Sequence, residues 1–431
     1  MATGTTQPCP TCGATLPVVQ PYTTWCHECG WNLVAPPQPL PSGRFERLYE
    51  QAGRRAGERL ERELSAATDL EPRLTAGKTL AYALAAAVHL VTLGLLAGGI
   101  VLIALKPTWI FADVVGALMM AVALLVRPRF GKAPDEDIAT RTDAPALFRL
   151  IDKVAAAEGT KTADVLVVDD AYNASWVIVG LRRVRVLTVG LPLLSALDPQ
   201  ERVGLIAHEF AHARNGDSSR GLFVGSAIRG LARWYHLLAP HHMGGPFDVG
   251  WGLGDLRAAE YITNAILWVL SRPPLLLFYV EVTLLLQDSR RAEYLADAIA
   301  ASTAGSDAVV AIHEKLLLES SFEQVVRQYA HPSTRAEAGE VFDSIRSQLA
   351  AVPERERERR RRVAMLAVSS LGATHPPTGH RIRVLEERPI HAAKVVLTNA
   401  ESEEIDRELG RLRRPLGRRL IENQRARLYR R

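Results

Sequence analysis

Two histidines four residues apart, with a glutamate between them, are the residues of this chain best suited to chemistry. They stand in the run His208-Glu209-Phe210-Ala211-His212. Leu205, Ile206, Ala207, Phe210 and Ala211 give the segment an apolar body, so it reads as a helix. Residues four apart share a helical face, and both imidazoles can then meet one zinc ion. Glu209 can reach a water in the metal's open position and take its proton during attack on a peptide carbonyl. The chain has twelve histidines, and a surface helix can carry such a run for no chemical reason. A third protein ligand decides between the two readings.

Residues 289–297, Ser-Arg-Arg-Ala-Glu-Tyr-Leu-Ala-Asp, offer one. The segment is rich in helix formers and sets Glu293 and Asp297 on one face, four apart. Glu293 is the expected third ligand. Asp297, one turn on, is placed to accept a hydrogen bond from the far nitrogen of His208, which would fix that ring's tautomer. Asp217 is a further candidate support. The bland alternative for Glu293 is an exposed carboxylate paired with Arg290 or Arg291. Glu281 and Asp288 are rival ligands, but neither has a matching partner one turn on.

With these motifs in view, the chain resembles the membrane-bound metallopeptidase family that includes HtpX and the CAAX prenyl endopeptidases. The likeness rests on Ala207 to His212 followed by Asn215-Gly216-Asp217, and on Ser289-Arg290 through Glu293 to Ala296-Asp297. It extends to Asp169 to Ala174, to Val189-Gly190-Leu191 with Leu197 to Glu201, and to Thr374 to Thr378 with Arg381-Ile382. These motifs occur in family order over residues 140–388. The resemblance implies a gluzincin-type site: His208, His212 and Glu293 on zinc, and Glu209 as base. It also implies a substrate cleft whose edge strand includes Asn173 and Ala174. It places a histidine or arginine near the site, for which His375 and Arg381 are favoured. His331, in His331-Pro332-Ser333-Thr334-Arg335, is a competing copy of the pattern.

The elements that must hold these residues are legible in outline. Residues 176–179 and 184–189 are β-rich runs around Gly180 and predict a hairpin. An exposed strand edge there can bind an extended peptide by strand addition. Leu80 to Leu105 carries no charge, and Trp109 to Val126 follows after Lys106-Pro107-Thr108. About 20 apolar residues span a bilayer, so the pair predicts a transmembrane hairpin, with Asp113 near its turn end. His89, inside the first run, reads as a packed residue. Arginines precede the first run, and Arg127, Arg129 and Lys132 follow the second. Basic flanks stay inside, so the N-terminus and the peptidase region are expected in the cytoplasm. The start, Met1 to Pro10, is polar and unlike a cleavable signal peptide. A second apolar stretch, 261–287, is broken by Pro273-Pro274 and predicts another helical hairpin.

All four cysteines lie near the start, in Cys9-Pro10-Thr11-Cys12 and Cys26-His27-Glu28-Cys29. Two C-x-x-C knuckles predict a ribbon closed by a structural zinc; two disulfides would need an oxidising compartment. His27, inside a knuckle, is not expected to bind the metal, and the ribbon's partner is not written in the sequence. Residues 35–41 are Pro-rich and read as a linker, while 44–70 mixes Arg and Glu as a solvated helix. The Glu/Arg run at 353–362 likewise predicts a solvated face, and the C-terminal stretch a basic tail. A net charge of +5 over 431 residues does not by itself imply a nucleic-acid partner.

The expected fold is mainly α with a small β-sheet: an α+β zincin-like peptidase domain, an N-terminal zinc ribbon and a transmembrane helical hairpin. The expected divisions are 1–34 ribbon, 35–78 linker and charged helix, 79–126 hairpin, 127–390 peptidase and 391–431 basic tail. The expected function is a membrane-anchored zinc endopeptidase cutting membrane or misfolded proteins, with one catalytic and one structural Zn2+. The partners are then a peptide substrate and the bilayer. The rival is a non-proteolytic membrane scaffold whose ribbon recruits a partner. The Ala- and Arg-rich composition is bacterial in character.

Overall fold

The computed structural model describes residues 5–36, 43–66, 75–105, 110–128, 130–240, 254–367 and 375–429. The chain opens on two paired strands, β1 (Thr6–Pro8) and β2 (Thr15–Pro17). Helix α1 (Arg44–Ala66) precedes the apolar helices α2 (Ala76–Ala104) and α3 (Ile110–Val126), which pack on each other. Next come β3 (Ile138–Ala139), α4 (Pro145–Ala157), β4 (Val165–Asp169), β5 (Ala174–Val179) and β6 (Val184–Gly190). Then follow α5 (Leu191–Ala196), α6 (Pro199–Arg214), α7 (Asp217–Leu238) and the long α8 (Gly254–Ala304). The remainder is α9 (Ser306–Leu316), α10 (Glu319–Ala330), α11 (Val341–Ala350), α12 (Glu354–Met365), α13 (Thr378–Glu386) and α14 (Asn399–Tyr429). The expected class, mainly helical with a small sheet, is what is found.

The sheet runs in the order β3-β4-β6-β5, which leaves β5 at an edge. The predicted hairpin is present: β5 and β6 pair antiparallel from Ala174↔Val189 to Val179↔Val184, turning through Gly180 and Arg183 at positive φ. Gly190 ends the sheet where the chain before β5 crosses it. A Cβ there would meet the Ala171 carbonyl oxygen at 1.7 Å, and its N–H donates to Asn173 O at 2.8 Å. This contact fixes the start of the edge strand. Trp176 of β5 in turn rests on Phe210 of α6, ring centroids 4.6 Å apart. The core joins α4, the sheet, α5, α6 and α9 to α11 with α14.

Several expectations change. The apolar hairpin expected near 261–287 is one continuous helix, α8, running through Pro273 and Pro274. The prolines free only the carbonyls of Val269 and Leu270 from their usual donors. A loop here would instead bare many backbone groups among leucines, with no glycine to shape it. Ser271 Oγ and Arg272 Nε both fold back onto the Trp268 carbonyl, at 2.7 and 3.3 Å. Among the described helices, α2 and the Tyr261–Ala304 part of α8 are long and apolar enough to cross a membrane; α3, at 17 residues, is shorter. Leu90, Leu93, Val101, Phe111, Leu118, Ile262, Trp268 and Leu276 leave these helices with a broad exposed apolar surface.

The charged segments keep exposed residues but pack one face on the rest of the protein. On α1, Leu64 is buried against Tyr294 and Val384, and Glu61 pairs with Arg383 and His380. On α12, buried Glu356 holds Arg359 and Arg360, while Arg361 bridges Glu314 and Glu386. The stretch expected as a basic tail contains α14, whose Arg411 and Arg419 pair with Asp143, Asp137 and Asp170. Alternating charges read as solvent-facing when their partners are distant in sequence and so unseen.

Candidate metal centre and cleft

Helix α6 is anchored at its start. Pro199 occupies the first turn, the Asp198 N–H donates to Glu201 Oε2 at 2.7 Å, and Lys315 of α9 closes on both Asp198 and Glu201. The apolar face of α6 packs on α8 and the sheet, which turns His208 and His212 toward α8. Their Nε2 atoms lie 3.3 Å apart. Glu293 of α8, only 2% exposed, places Oε2 3.5 Å from His208 Nε2 and Oε1 3.6 Å from His212 Nε2. The expected third ligand thus meets the pair. Its bland alternative is not realised: Arg291 pairs with Glu63 instead, and Glu293 is buried. Of the rivals, Glu281 is buried on α8 away from the cleft, and Asp288 lines a separate depression with Arg290 and Arg291.

Donors bound tetrahedrally at about 2.0–2.1 Å sit roughly 3.3–3.4 Å from one another, so this trio fits a zinc-sized ion. Glu293 Oε2 is also buried without accepting a hydrogen bond among the described residues, although Arg381 Nη1 lies 3.0 Å away. Such an atom suits a metal ligand better than a structural carboxylate. Burial pulls the His208 imidazole down, but hydrogen bonds to Asp297 and Glu293 outweigh it and raise it to about 10. A cation at Nε2 would meet the same negative field.

Asp297 stands where the helical spacing predicts, with Oδ1 3.1 Å from His208 Nδ1. Arg381 of α13 grips it twice, at 2.7 and 2.6 Å. His375 Nδ1 lies 2.9 Å from Glu293 Oε1 on a mostly exposed ring, so the His375 segment and not His331 faces the centre. His331 is exposed and bonded to Ser333. Asp217 begins α7, but its side chain falls outside the described residues. Glu209, Asn173 and Ala174 all line a cleft of about 1090 Å³ together with His208, His212, Glu293, His375 and Arg381.

One residue at the centre is absent from the sequence-based expectation. His313 of α9, 3% exposed, sets Nε2 3.1 Å from Asp297 Oδ1. Burial pulls its imidazole below the usual range despite the neighbouring carboxylate. No residue one turn away marks it, so spacing could not have found it. His89 is packed as expected, edge-on to Phe223 at 4.9 Å.

The four cysteines form a second cluster. Cys9 Sγ and Cys29 Sγ are 3.6 Å apart, Cys12 Sγ and Cys26 Sγ 3.5 Å, and none of the four is in a disulfide. Zinc–sulfur bonds of about 2.3 Å set sulfurs roughly 3.8 Å apart, so the cluster fits one ion. Gly13 and Gly30 close the two knuckles with matching left-handed turns, donating to Cys9 O and Cys26 O. His27 is exposed and outside the cluster. The ribbon sits on α12: Trp25 lies between Arg355 and Arg362, whose guanidinium carbons are 5.0 and 5.1 Å from its ring. Arg355 and Arg362 also donate to the Trp25 and His27 carbonyls.

Two imidazoles from an H-E-x-x-H helix and a carboxylate from a second helix, beside an edge strand, are the mark of metal-dependent peptidases. Residues 142–389 match the model of Peptidase family M48, and the chain belongs to that family, the HtpX-like membrane zinc metallopeptidases. A Protease HtpX homolog from Pyrobaculum calidifontis is 24% identical over 275 residues, covering 63% of this chain and 73% of its own length. One from Bacteroides fragilis is 24% identical over 257 residues, 57% of this chain and 70% of its own. One from Persephonella marina reaches 29% over 208 residues, 47% of this chain and 60% of its own. No solved structure matches. The chain is a protease, and its family implies a metal cofactor.

Proposed function

We propose that the protein is a membrane-anchored zinc endopeptidase that hydrolyses membrane or misfolded proteins. The observation that carries this reading is the convergence of His208, His212 and buried Glu293 within one cleft. When bound, the zinc ion supplies Lewis-acid chemistry at the scissile carbonyl. Glu209 takes the proton of the attacking water and hands it to the leaving amine. Asp297 holds His208 by its Nδ1, leaving Nε2 for the ion. Arg381 anchors Asp297 and lies against Glu293, and His375 reaches the developing oxyanion from the cleft's open side. The edge strand β5 takes an extended peptide by strand addition, starting at Asn173 and Ala174.

Helices α2 and α3 and the apolar half of α8 lie in the bilayer, their exposed leucines and aromatics facing lipid. The basic flanks keep the ribbon and peptidase on the cytoplasmic side. The ribbon's cysteines hold a second, structural zinc. Glu209→Gln tests the chemistry. It should abolish cleavage of casein or a model membrane substrate while bound zinc stays at the wild-type level. Equal cleavage by both proteins, or by neither, returns the chain to the scaffold reading.

A further inference from the structure

The cleft has a wall that this chemistry does not use. Val309, Ile312, His313 and Leu316 line it from α9, alongside Leu193 and Leu205. The wall stands next to the metal helix: Ile312 Cδ1 lies 2.7 Å from the place a Cβ on Gly204 would take, one turn before His208. Of these α9 residues only His313 is polar. Asp297 receives both Arg381 hydrogen bonds and the His208 contact, so it is an ionised acceptor, and His313 Nε2 must carry the proton between them. A neutral imidazole has one N–H, which leaves Nδ1 as an acceptor. That Nδ1 is buried and has no hydrogen-bond partner among the described residues. A buried acceptor left unmatched is costly, and a leucine would fill the same wall without that cost.

We propose that His313 determines specificity. Its Nδ1 accepts a hydrogen bond from a substrate side chain bearing a hydroxyl or amide N–H, while Val309, Ile312 and Leu316 hold that side chain's apolar part. The substrate class is thus peptides with threonine, serine, asparagine or glutamine beside the bond cut, ahead of aliphatic residues of the same shape. This rests on the endopeptidase reading above.

The test uses the full chain with zinc in lipid nanodiscs and paired peptides. Members of a pair differ only as threonine against valine, or asparagine against leucine, at each position flanking the cut. At one position the wild type should favour the donor-bearing member about tenfold in kcat/KM. His313→Leu should erase that ratio with zinc content unchanged, and His313→Gln, which keeps an acceptor, should restore part of it. A merely structural role for His313 would lower both members together and leave the ratio intact. Equal rates for every pair in the wild type overturn the proposal, even if His313→Leu fails to fold. So does a ratio that survives in His313→Leu. Cleavage of no peptide, by wild type as by Glu209→Gln, refutes the endopeptidase reading itself and this proposal with it.

Discussion

Asp297 is the residue on which the centre's geometry converges: His208, His313 and Arg381 all reach it, and it is 1% exposed. Asp297→Asn keeps the shape but removes the charge that orients His208 and balances Arg381. Zinc affinity should fall about 10–100-fold in chelator competition, with turnover falling alongside. Unchanged affinity would mean that the His208 ring is held by something else. Glu158, at the end of α4, is 5% exposed, with the Thr303 side chain beside it. Burial pushes its carboxyl up to about 8. The folded protein therefore binds this proton more tightly than the unfolded chain does. Stability is lost as pH rises from the ordinary carboxylate range through about 8. Glu158→Gln should gain on the order of 3 kcal/mol at pH 8 and almost nothing at pH 4, read from denaturant melts at both. The histidine pair and the Glu293–Asp297 pair were legible because four-residue spacing is a local signal. His313 was not, because its partner comes from another helix.

At the scale of elements, local pattern foretold the β5–β6 hairpin, where turn residues sit next to what they shape. It misread α8, because a Pro pair weighs heavily in a local reading and the apolar surroundings that keep the helix whole are tertiary. It also missed the packed faces of α1 and α12, some of whose charges find partners far away in sequence, such as Glu61 with Arg383. The seat of the ribbon on α12 gives α12 a purpose the charge run alone did not disclose. Gly379 of α13 presses against α12: a Cβ there would meet the Ala364 carbonyl carbon at 2.6 Å. Ribbon, α12 and the helix carrying Arg381 are therefore stacked in series. Removing residues 1–34 should reduce bound zinc from two ions to one per chain by metal analysis. A loss of both ions would show that the centre depends on the ribbon; no loss would show that the cysteines bind none.

At the scale of the whole molecule, α8 joins the exposed apolar surface to the candidate metal centre without interruption. Exposed Leu276 and buried Glu293 lie on the same rod, about 25 Å apart at 1.5 Å per residue. On the function proposed above, two of the three metal donors ride on α6, inside the peptidase core, while the third rides on a strut whose far end would be immersed in acyl chains. A bilayer too thin for that strut is met by leaning it, and one too thick by drawing it upright and thinning the surrounding lipid. Leaning swings Glu293 and Asp297 as a pair against stationary imidazoles. Hydrolysis should then peak at one acyl-chain length and fall on either side, compared in vesicles of graded thickness. A flat profile would mean that the strut yields at its prolines before it moves the carboxylates. The enzyme would in that sense be a gauge of the lipid it sits in.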